Sequence, residues 1–244
     1  QLRQLARDAG TTLFVLLLAA FQVLLRRYSG QADIAVGTAI ANRNRLELEG
    51  LVGFFVNTLV IRTNLTGAPT FRDLLEQVQH TAVAAFDHQD LPFEKLVEEL
   101  QPERQRNRHP LFQVMVFQVF AGDETAVVLP GVLVEPMRID LGTTKFDLAL
   151  AVQERDATVH GRFTYSTDLF DAATIDRMAG RLVTLLDSIV AAPNQPIDRL
   201  PLLTGVERHQ LLVKWNETAV DYPHSTCVHQ LFERQVALRP AATA

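Results

Sequence analysis

Asn57 and Thr58 are the two polar side chains in an otherwise apolar run of the sequence, LVGFFVNTLVI from Leu51 to Ile61. If this run is a β-strand, alternation leaves both of its faces apolar, which predicts a strand covered on both sides. An amide buried there costs about 2–7 kcal/mol unless its hydrogen bonds are satisfied. Asn57 is therefore the first candidate for a residue that binds or positions a polar group.

The heptapeptide HQDLPFE, residues 88–94, is the second candidate. Helix-entry chemistry explains three of its residues, because Asp90 and Glu94 favour the positive end of a helix dipole and Pro92 suits a first turn. The pair His88–Gln89 has no such explanation. The third candidate is RQRNRHPLFQVMVF, residues 104–117, which is either a functional basic loop before an apolar strand or a solvated loop.

The sequence lacks the familiar catalytic and metal-binding patterns. None of the seven histidines has an Asp or a second His four residues later, and there is no nucleophile elbow, P-loop or dinucleotide-binding glycine motif. His229 and Glu233 lie one helical turn apart but lack a third metal ligand. The single cysteine, Cys227, excludes an internal disulfide and is predicted to be buried and inert.

The composition is that of an ordinary globular chain of 244 residues, 48% hydrophobic and 21% charged. A net charge of −5 gives no excess of positive charge that would attract nucleic acid or an anionic membrane. The most apolar run, residues 13–25, is shorter than the about 20 residues needed to span a bilayer and therefore predicts a core helix. With no visible signal peptide, the cytoplasm is the expected location.

The patterns predict a mixture of strands and helices over roughly the first 200 residues. Apolar periodicity and capping residues predict helices from Thr11–Thr12 to Tyr28 with Gly30 as a stop, at 71–86 after Thr70, from Pro92, and from Asp171 to Ile189. Strand-like runs cover 33–41, 51–61, 112–120, 132–137, 146–152 and 158–165. Residues 192–204 contain three prolines and predict a linker packed at the surface.

Taken together and in this order, the three candidate stretches resemble the later core motifs of condensation domains from non-ribosomal peptide synthetases. VGFFVNTL, residues 52–59, resembles (I/V)-G-x-F-V-N-T at every position, and HQDLPFE matches (H/N)-Q-D-x-P-F-E. RQRNRHPL, residues 104–111, departs from R-D-x-S-R-N-P-L at Gln105, Asn107 and His109, so roles tied to those positions do not carry over. It agrees at Arg104, Arg108, Pro110 and Leu111.

The resemblance covers essentially the whole chain and implies its fold and domains. Condensation domains contain two lobes that resemble chloramphenicol acetyltransferase, each an α/β (α+β, two-layer) sandwich with a mixed β-sheet flanked by helices. Residues 1–200 resemble the C-terminal lobe, 201–221 the linker to an adenylation domain, and 222–244 the N-terminal stub of that domain. We therefore expect a fragment excised from a larger protein.

The resemblance also implies a function in secondary-metabolite or antibiotic biosynthesis. The full enzyme would form an amide bond between aminoacyl and peptidyl thioesters held on 4′-phosphopantetheine arms of carrier proteins. Its catalytic H-H-x-x-x-D-G motif belongs to the first lobe and is not in this sequence, so we expect no catalytic residue, metal or directly bound cofactor here, and no activity from the isolated chain. The expected partners are carrier domains, the N-terminal lobe and the adenylation domain in cis, with no nucleic acid or membrane.

Two alternatives remain open from the sequence. The chain could be a non-catalytic module of the same fold that docks carrier proteins. It could also be an epimerization or heterocyclization relative, although the strand LFQVMVFQ, residues 111–118, does not resemble the asparagine-tyrosine-leucine-glycine stretch of epimerization domains.

The roles of the motif residues are predictions of the resemblance. Asn57 and Thr58 are candidates for the substrate tunnel, where Asn57 either orients a substrate amide, a pantetheine arm or a water, or is satisfied by backbone and fixes the geometry of the lobe. Asp147 either forms a buried ion pair with an arginine or lies at the surface. The residues expected to be architectural are Gly53, Phe55, Val56, His88, Gln89, Asp90, Pro92, Phe93, Glu94, Arg104, Arg108, Pro110 and Asp147.

Overall fold

A computed structural model describes residues 1–103, 108–119, 131–132, 137, 142–155, 158–221 and 226–240. The chain divides into two compact units, Gln1–Thr204 and Gly205–Ala244. The helices of the first unit are α1 (Leu2–Asp8), α2 (Leu13–Ser29), α3 (Leu46–Glu49), α4 (Phe71–Asp87), α5 (Phe93–Leu100) and α6 (Ala172–Ala191). Its strands are β1 (Asp33–Ile40), β2 (Asn57–Asn64), β3 (Val114–Val119), β4 (Leu148–Arg155) and β5 (Thr158–Tyr165).

The five strands form one mixed sheet in the order β2-β1-β3-β4-β5. The pairs β1–β3 and β3–β4 are parallel, whereas β1–β2 and β4–β5 are antiparallel. Helix α2 contacts α4, α6 and β1, and α4 contacts β2. The mixed sheet flanked by helices confirms the predicted fold class.

Helix α2 is the centre of the hydrophobic core. The Thr12 side chain caps it by accepting from the Val15 amide at 3.2 Å, and Gly30 ends it in the left-handed region, with φ 71°. Every residue from Val15 to Leu24 is buried. Among the described residues no single helix is long and apolar enough to cross a membrane, although α1 and α2, which meet at a bend of 103°, pass that test as a pair.

The N-termini of helices α4 and α6 are capped by the side chains of Thr70 and Asp171. The Thr70 hydroxyl accepts from the Asp73 amide while the Asp73 carboxylate accepts from the Thr70 amide, which completes a capping box. At α6 the Asp171 carboxylate accepts from the Thr174 amide at 2.6 Å. The apolar residues at helical spacing on α6 face the core: Ile175, Met178, Leu182, Leu185 and Ile189.

The prediction of one strand across residues 51–61 is wrong for its first half. Strand β2 begins at Asn57, which pairs with Ile40, the last residue of β1, and residues 51–56 pair with no strand among the described residues. The prediction that both faces are covered is also wrong: exposure alternates along β2, and Phe54 is 92% exposed. Strand β2 is an edge strand, and one of its faces packs on the helices.

The other face of the sheet carries a smaller core. Phe112, Met115 and Ala149 are buried there, and half-buried apolar residues from neighbouring strands and from α5 pack around them. Gly37 of β1 lies under this cluster, since a Cβ at Gly37 would come within 2.3 Å of the Phe112 ring. Glycine is therefore needed at this position for the ring to lie against β1.

The linker predicted at residues 192–204 lies within the first unit, where Ala192 is the C-terminal cap of α6 and residues 193–204 pack against α2. The guanidinium of Arg26 donates to both carboxylate oxygens of Asp198, at 3.1 and 2.8 Å, and Arg27 donates to the Asp198 carbonyl at 3.0 Å. Ile197 and Leu200 are buried. This segment, the exit strap, therefore lies against α2 with defined contacts.

The second unit contains α7 (Gly205–Leu212), a 3-10 turn at Lys214–Asn216 and α8 (Val228–Leu238). The prediction that Cys227 is buried is wrong, because Cys227 is exposed at the N-cap of α8. Its inertness stays a prediction. The assignment of 201–221 and 222–244 to a linker and an adenylation stub also stays a prediction.

Candidate functional site

The amide of Asn57 is buried at the start of β2, where it is 7% exposed. Its Nδ2 donates to the carbonyl oxygens of Gln89 and Leu91, at 2.9 and 2.8 Å. Its Oδ1 accepts from the backbone amides of Thr58 and Phe93, at 2.8 and 3.1 Å. One side chain thus connects β2 to the turn between α4 and α5.

These four bonds use the whole hydrogen-bonding capacity of a carboxamide, which has two donor hydrogens and an oxygen with two lone pairs. A substrate or a water would have to displace one of the backbone partners to reach the Asn57 amide. The geometry therefore favours the second of the two predicted roles, in which Asn57 is satisfied by backbone and fixes the geometry of the lobe.

Thr58 points the opposite way from Asn57, because successive residues of a strand face opposite sides of the sheet. It is half-buried and pairs with Ala39 of β1. The bond to Asn57 comes from the Thr58 backbone amide. The two residues predicted as tunnel candidates thus do not share a face.

The turn of residues 88–92, the α4–α5 turn, contributes mainly backbone to this arrangement. His88 is the exposed C-terminal cap of α4, and its carbonyl accepts from the Leu91 amide at 3.1 Å. Asp90 accepts from Asn44 Nδ2 at 3.0 Å. Pro92 is the N-cap of α5 in an extended conformation, with φ −61° and ψ 139°, and Glu94 is exposed in its first turn.

Four rings pack together beside this turn. The Phe93 ring stacks on the His109 ring at 5.4 Å, and His109 lies 4.5 Å from Phe112 and 5.2 Å from Phe146, between ring centroids. Pairs of this kind stabilise by about 0.5–1.5 kcal/mol each beyond the area they bury. We call Phe93, His109, Phe112 and Phe146 the aromatic cluster.

The third motif stretch reaches the site through this cluster. His109 is one of the positions at which the sequence departs from the family motif, and sequence reasoning did not identify it as a site residue. Its carbonyl accepts from Gln113 Nε2 at 3.1 Å. Pro110 is half-buried and Arg108 is exposed. Arg104 lies outside the described residues.

Residues 46–56, which include α3 and the first half of the first motif stretch, are called the pre-strand segment. Phe55 is half-buried, whereas Val56 is 49% exposed. A Cβ at Gly53 would come within 2.9 Å of the Phe55 ring, so a larger residue would push that ring aside. The Arg43 guanidinium lies over the Phe55 ring, 4.3 Å from its centroid.

Asp147 precedes β4 at the other end of the parallel strands. It is half-buried and lines an open pocket of about 510 Å³ together with Tyr28 and Phe112. Its backbone amide donates to the Gln113 carbonyl at 3.1 Å. Within the described residues its carboxylate has no ion-pair partner, so the buried ion pair is not formed there.

The described residues also contain no group of three or more His, Cys, Asp or Glu side chains placed to hold a metal ion. What the arrangement does offer is a framework: the first two motifs meet at Asn57, and the second meets the third at the Phe93 ring. Its polar atoms are largely backbone groups held by side chains. Such a framework positions other groups rather than reacting itself.

Comparison with known proteins identifies the family. The condensation-domain family model matches residues 1–212. A linear gramicidin synthase of Brevibacillus parabrevis is 51% identical over 236 residues, which cover 96% of this chain and 3% of that protein. A chondramide synthase of Chondromyces crocatus is 48% identical over 244 residues, which cover 100% of this chain and 6% of that protein. The chain spans 3% to 6% of the length of the first curated relatives it matches.

Two solved structures share the fold. Holo-AB3403, a four-domain nonribosomal peptide synthetase bound to AMP and glycine, matches with a TM-score of 0.84 and 26% identity, over 100% of this chain and 20% of that one. The X-domain from teicoplanin biosynthesis, also solved in complex with OxyB, matches with a TM-score of 0.75 and 34% identity, over 83% of this chain and 46% of that one. The chain belongs to the condensation-domain family of nonribosomal peptide synthetases.

Proposed function

We propose that this chain is the C-terminal lobe of a condensation domain that forms amide bonds between carrier-bound aminoacyl and peptidyl thioesters. The observation that carries the proposal is the convergence of the three motif stretches, joined by the Asn57 amide and the Phe93 ring. The likeness to synthetases that make peptides supports the reaction class.

The extent of the match supports the assignment to one lobe. The aligned part of this chain corresponds to 46% of the X-domain structure, and the five strands form a single sheet. A condensation domain has two lobes, so a match to about half of a related structure fits one of them. The other lobe would supply the H-H-x-x-x-D-G motif.

The reaction joins two thioester-bound substrates. The acceptor amine attacks the donor thioester carbonyl, the carbon–nitrogen bond forms, and the carbon–sulfur bond breaks. The amine loses a proton and the departing thiol gains one, so the donor carrier leaves as a free thiol and the longer peptide stays on the acceptor carrier. Such attack depends on close approach and on stabilisation of the tetrahedral intermediate.

The residues of this chain would act by positioning. Asn57 would hold the α4–α5 turn against β2, and the aromatic cluster would fix the start of α5, so that the lobe presents a defined wall to the substrate tunnel. Preorganised walls of this kind contribute to rate because small displacements of bound substrates are costly. No residue of this chain is assigned a proton transfer.

The proposed partners follow from the same assignment. Carrier domains would deliver substrates on 4′-phosphopantetheine arms, and the N-terminal lobe would complete the tunnel. Residues 222–244 would begin an adenylation domain, with 201–221 as the linker. The match to AB3403 over 100% of the chain, beyond residue 212 where the condensation model ends, supports this division.

A non-catalytic docking module is the second candidate function. It is favoured by one observation, the 34% identity to the X-domain of teicoplanin biosynthesis, which forms a complex with OxyB. In that case the same framework would hold a surface for a protein partner instead of a tunnel wall.

The two candidates are separated by assaying the complete condensation domain, this sequence joined to the N-terminal lobe encoded upstream of it. The donor and acceptor carriers would be loaded with aminoacyl thioesters, and the products measured by intact-protein mass spectrometry. We expect peptidyl transfer to the acceptor carrier. A matched variant with the second histidine of H-H-x-x-x-D-G changed to alanine is the control and should lose the product.

Two results would contradict the proposal. A complete domain that folds, binds carriers and forms no peptide would favour the docking module. An upstream sequence without a second lobe would remove the assignment to the C-terminal lobe.

A further inference from the structure

We propose that Arg43, with its neighbour Asn44, is a positioning residue of the site, because these two side chains hold the pre-strand segment and the α4–α5 turn in place. We call the pair the clasp. The inference rests on the proposed function, since it concerns the same end of the sheet. It adds two residues that lie outside the three motif stretches.

The pre-strand segment needs such a clasp because packing does not hold it. None of the residues from Leu46 to Val56 is buried. Val52 and Phe54 are almost wholly exposed, at 104% and 92%. A segment with few buried apolar contacts opens locally at low free-energy cost. Its position must therefore come from specific contacts.

Arg43 supplies contacts at both ends of the segment. Its guanidinium donates to the Leu48 and Glu49 carbonyl oxygens at the end of α3 and stacks over the Phe55 ring at 4.3 Å. A planar guanidinium can donate in its plane and stack through its face at once, which an ammonium group cannot do. One side chain thereby closes the segment into a loop.

Asn44 extends the clasp to the second motif. Its Nδ2 donates to Asp90 Oδ1 at 3.0 Å, across 46 residues of sequence. Asp90 belongs to the turn whose carbonyl groups are bound by Asn57. Arg43 and Asn44 thus connect, from adjacent positions, the two segments that flank the start of β2.

The backbone directly before the clasp has an uncommon conformation. Asn42 has a φ of 51°, in the left-handed region that non-glycine residues adopt uncommonly and asparagine adopts more readily than most. Asn42 lies two residues after the last residue of β1 and directly before Arg43 and Asn44, whose side chains contact the pre-strand segment and the α4–α5 turn respectively.

The first test measures whether the clasp holds the segment. Hydrogen–deuterium exchange of peptides from residues 46–56 would be compared between wild type and Arg43→Ala. We expect the variant to exchange at least about tenfold faster in this segment, as local opening becomes easier. Arg45→Ala is the matched control: Arg45 is an exposed arginine two residues away, and its side chain has no partner in the described residues. It should leave exchange unchanged.

The second test measures whether the clasp positions the site. In the complete condensation domain, Arg43→Ala should lower kcat about tenfold to a hundredfold, with little change in the KM for the acceptor carrier, because misplacement affects the reacting geometry more than docking. Arg43→Lys, which keeps the charge but not the stacking plane, should restore only part of the activity.

Each outcome decides a separate point. Unchanged hydrogen exchange of residues 46–56 in Arg43→Ala would contradict the claim that Arg43 holds the pre-strand segment. Faster exchange with unchanged kcat would overturn the positioning role. A wild-type domain that forms no peptide would overturn the proposed function and the positioning role with it, whereas the exchange rates would still measure the clasp itself.

Discussion

Helix α2 and the pre-strand segment are both rich in apolar residues, but they differ in burial. Ten consecutive residues of α2, from Val15 to Leu24, are buried at the centre of the core. The pre-strand segment has no buried residue. The first region packs against α4, α6 and β1, whereas the second is contacted by the single side chain of Arg43 at Leu48, Glu49 and Phe55.

This difference separates the packed core from the region of the candidate site. Most of the buried apolar residues lie in the core around α2, which therefore contributes most of the hydrophobic stabilisation. The region around Asn57 contributes less burial but fixes backbone groups with short, directional bonds. Exposed apolar groups such as Phe54 beside it are typical of interaction surfaces, which fits the proposed contact with a second lobe.

Substitution of a phenylalanine in each region gives the largest expected contrast. Phe21 of α2 is 0% exposed, so Phe21→Ala should lower the free energy of unfolding by about 3–5 kcal/mol. Phe54 is 92% exposed, so Phe54→Ala should change it by about 0.5 kcal/mol or less. Urea denaturation of both variants measures the difference. Equal losses would show that the pre-strand segment is packed in solution.

The second prediction concerns a glycine under the aromatic cluster. Gly37→Ala should lower the free energy of unfolding by about 1–3 kcal/mol, because the added Cβ would meet the Phe112 ring at 2.3 Å. Gly180 of α6 is the matched control, since no atom lies within 4 Å of its added Cβ. Gly180→Ala should stabilise the helix by about 0.5–1 kcal/mol. Thermal denaturation of the two variants should therefore shift in opposite directions.

The third prediction tests the exit strap. Arg26→Ala removes the bidentate hydrogen bond to the Asp198 carboxylate and the hydrogen bond to the Leu65 carbonyl. Because the Arg26 side chain is only 18% exposed, this loss should lower the free energy of unfolding by about 1–2 kcal/mol. It should also speed tryptic cleavage after Arg199. The exposed pair Arg62–Asp33 is the comparison, and Arg62→Ala should have the smaller effect on stability. A larger loss from Arg62→Ala would reverse this ranking.

The smallest expected effect is a dependence of stability on pH at two exposed carboxylates. Hydrogen bonding to the Thr174 amide lowers the pKa of Asp171, and the hydrogen bond from Arg62 lowers the pKa of Asp33. A carboxyl whose pKa is lowered by folding stabilises the protein above its unfolded pKa, and this contribution is lost as the pH falls through the folded pKa.

The double variant Asp171→Asn, Asp33→Asn removes both titrations while keeping a capping side chain at α6. Its Tm should therefore fall less than that of the wild type between neutral pH and about pH 3. An equal fall in Tm for the variant and the wild type would show that neither carboxylate contributes to the loss of stability at low pH.

The helices of the packed region are predicted well from the sequence because the residues that start and end them lie close to the helix ends. Thr12, Gly30 and the Thr70–Asp73 capping box lie within a few residues of the helix ends they define. The start of β2 was mispredicted because VGFFV has the composition of a strand, whereas β1 ends at Ile40, opposite Asn57, and the residues before Asn57 pair with no strand in the described part of the chain.

The site is less predictable because its partners are distant in sequence. Asn57 and the heptapeptide of residues 88–94 were identified as candidates, but their direct bonding was not, since it joins residues 32 to 36 positions apart. His109 and Phe146 meet only in the folded sheet. The Arg43 contacts were missed for a different reason: an arginine in a polar loop carries no sequence signal that distinguishes it from Arg45.

The central claim, that the Asn57 amide holds this end of the sheet together, is tested most directly at the amide of Phe93. This N–H, at the first position of α5, donates to Asn57 Oδ1 at 3.1 Å. Residue-resolved hydrogen exchange on Asn57→Ala should show the Phe93 amide exchanging more than about tenfold faster than in the wild type, with the amides of α2 unchanged. A Phe93 amide that stays as protected in the variant as in the wild type would contradict the account.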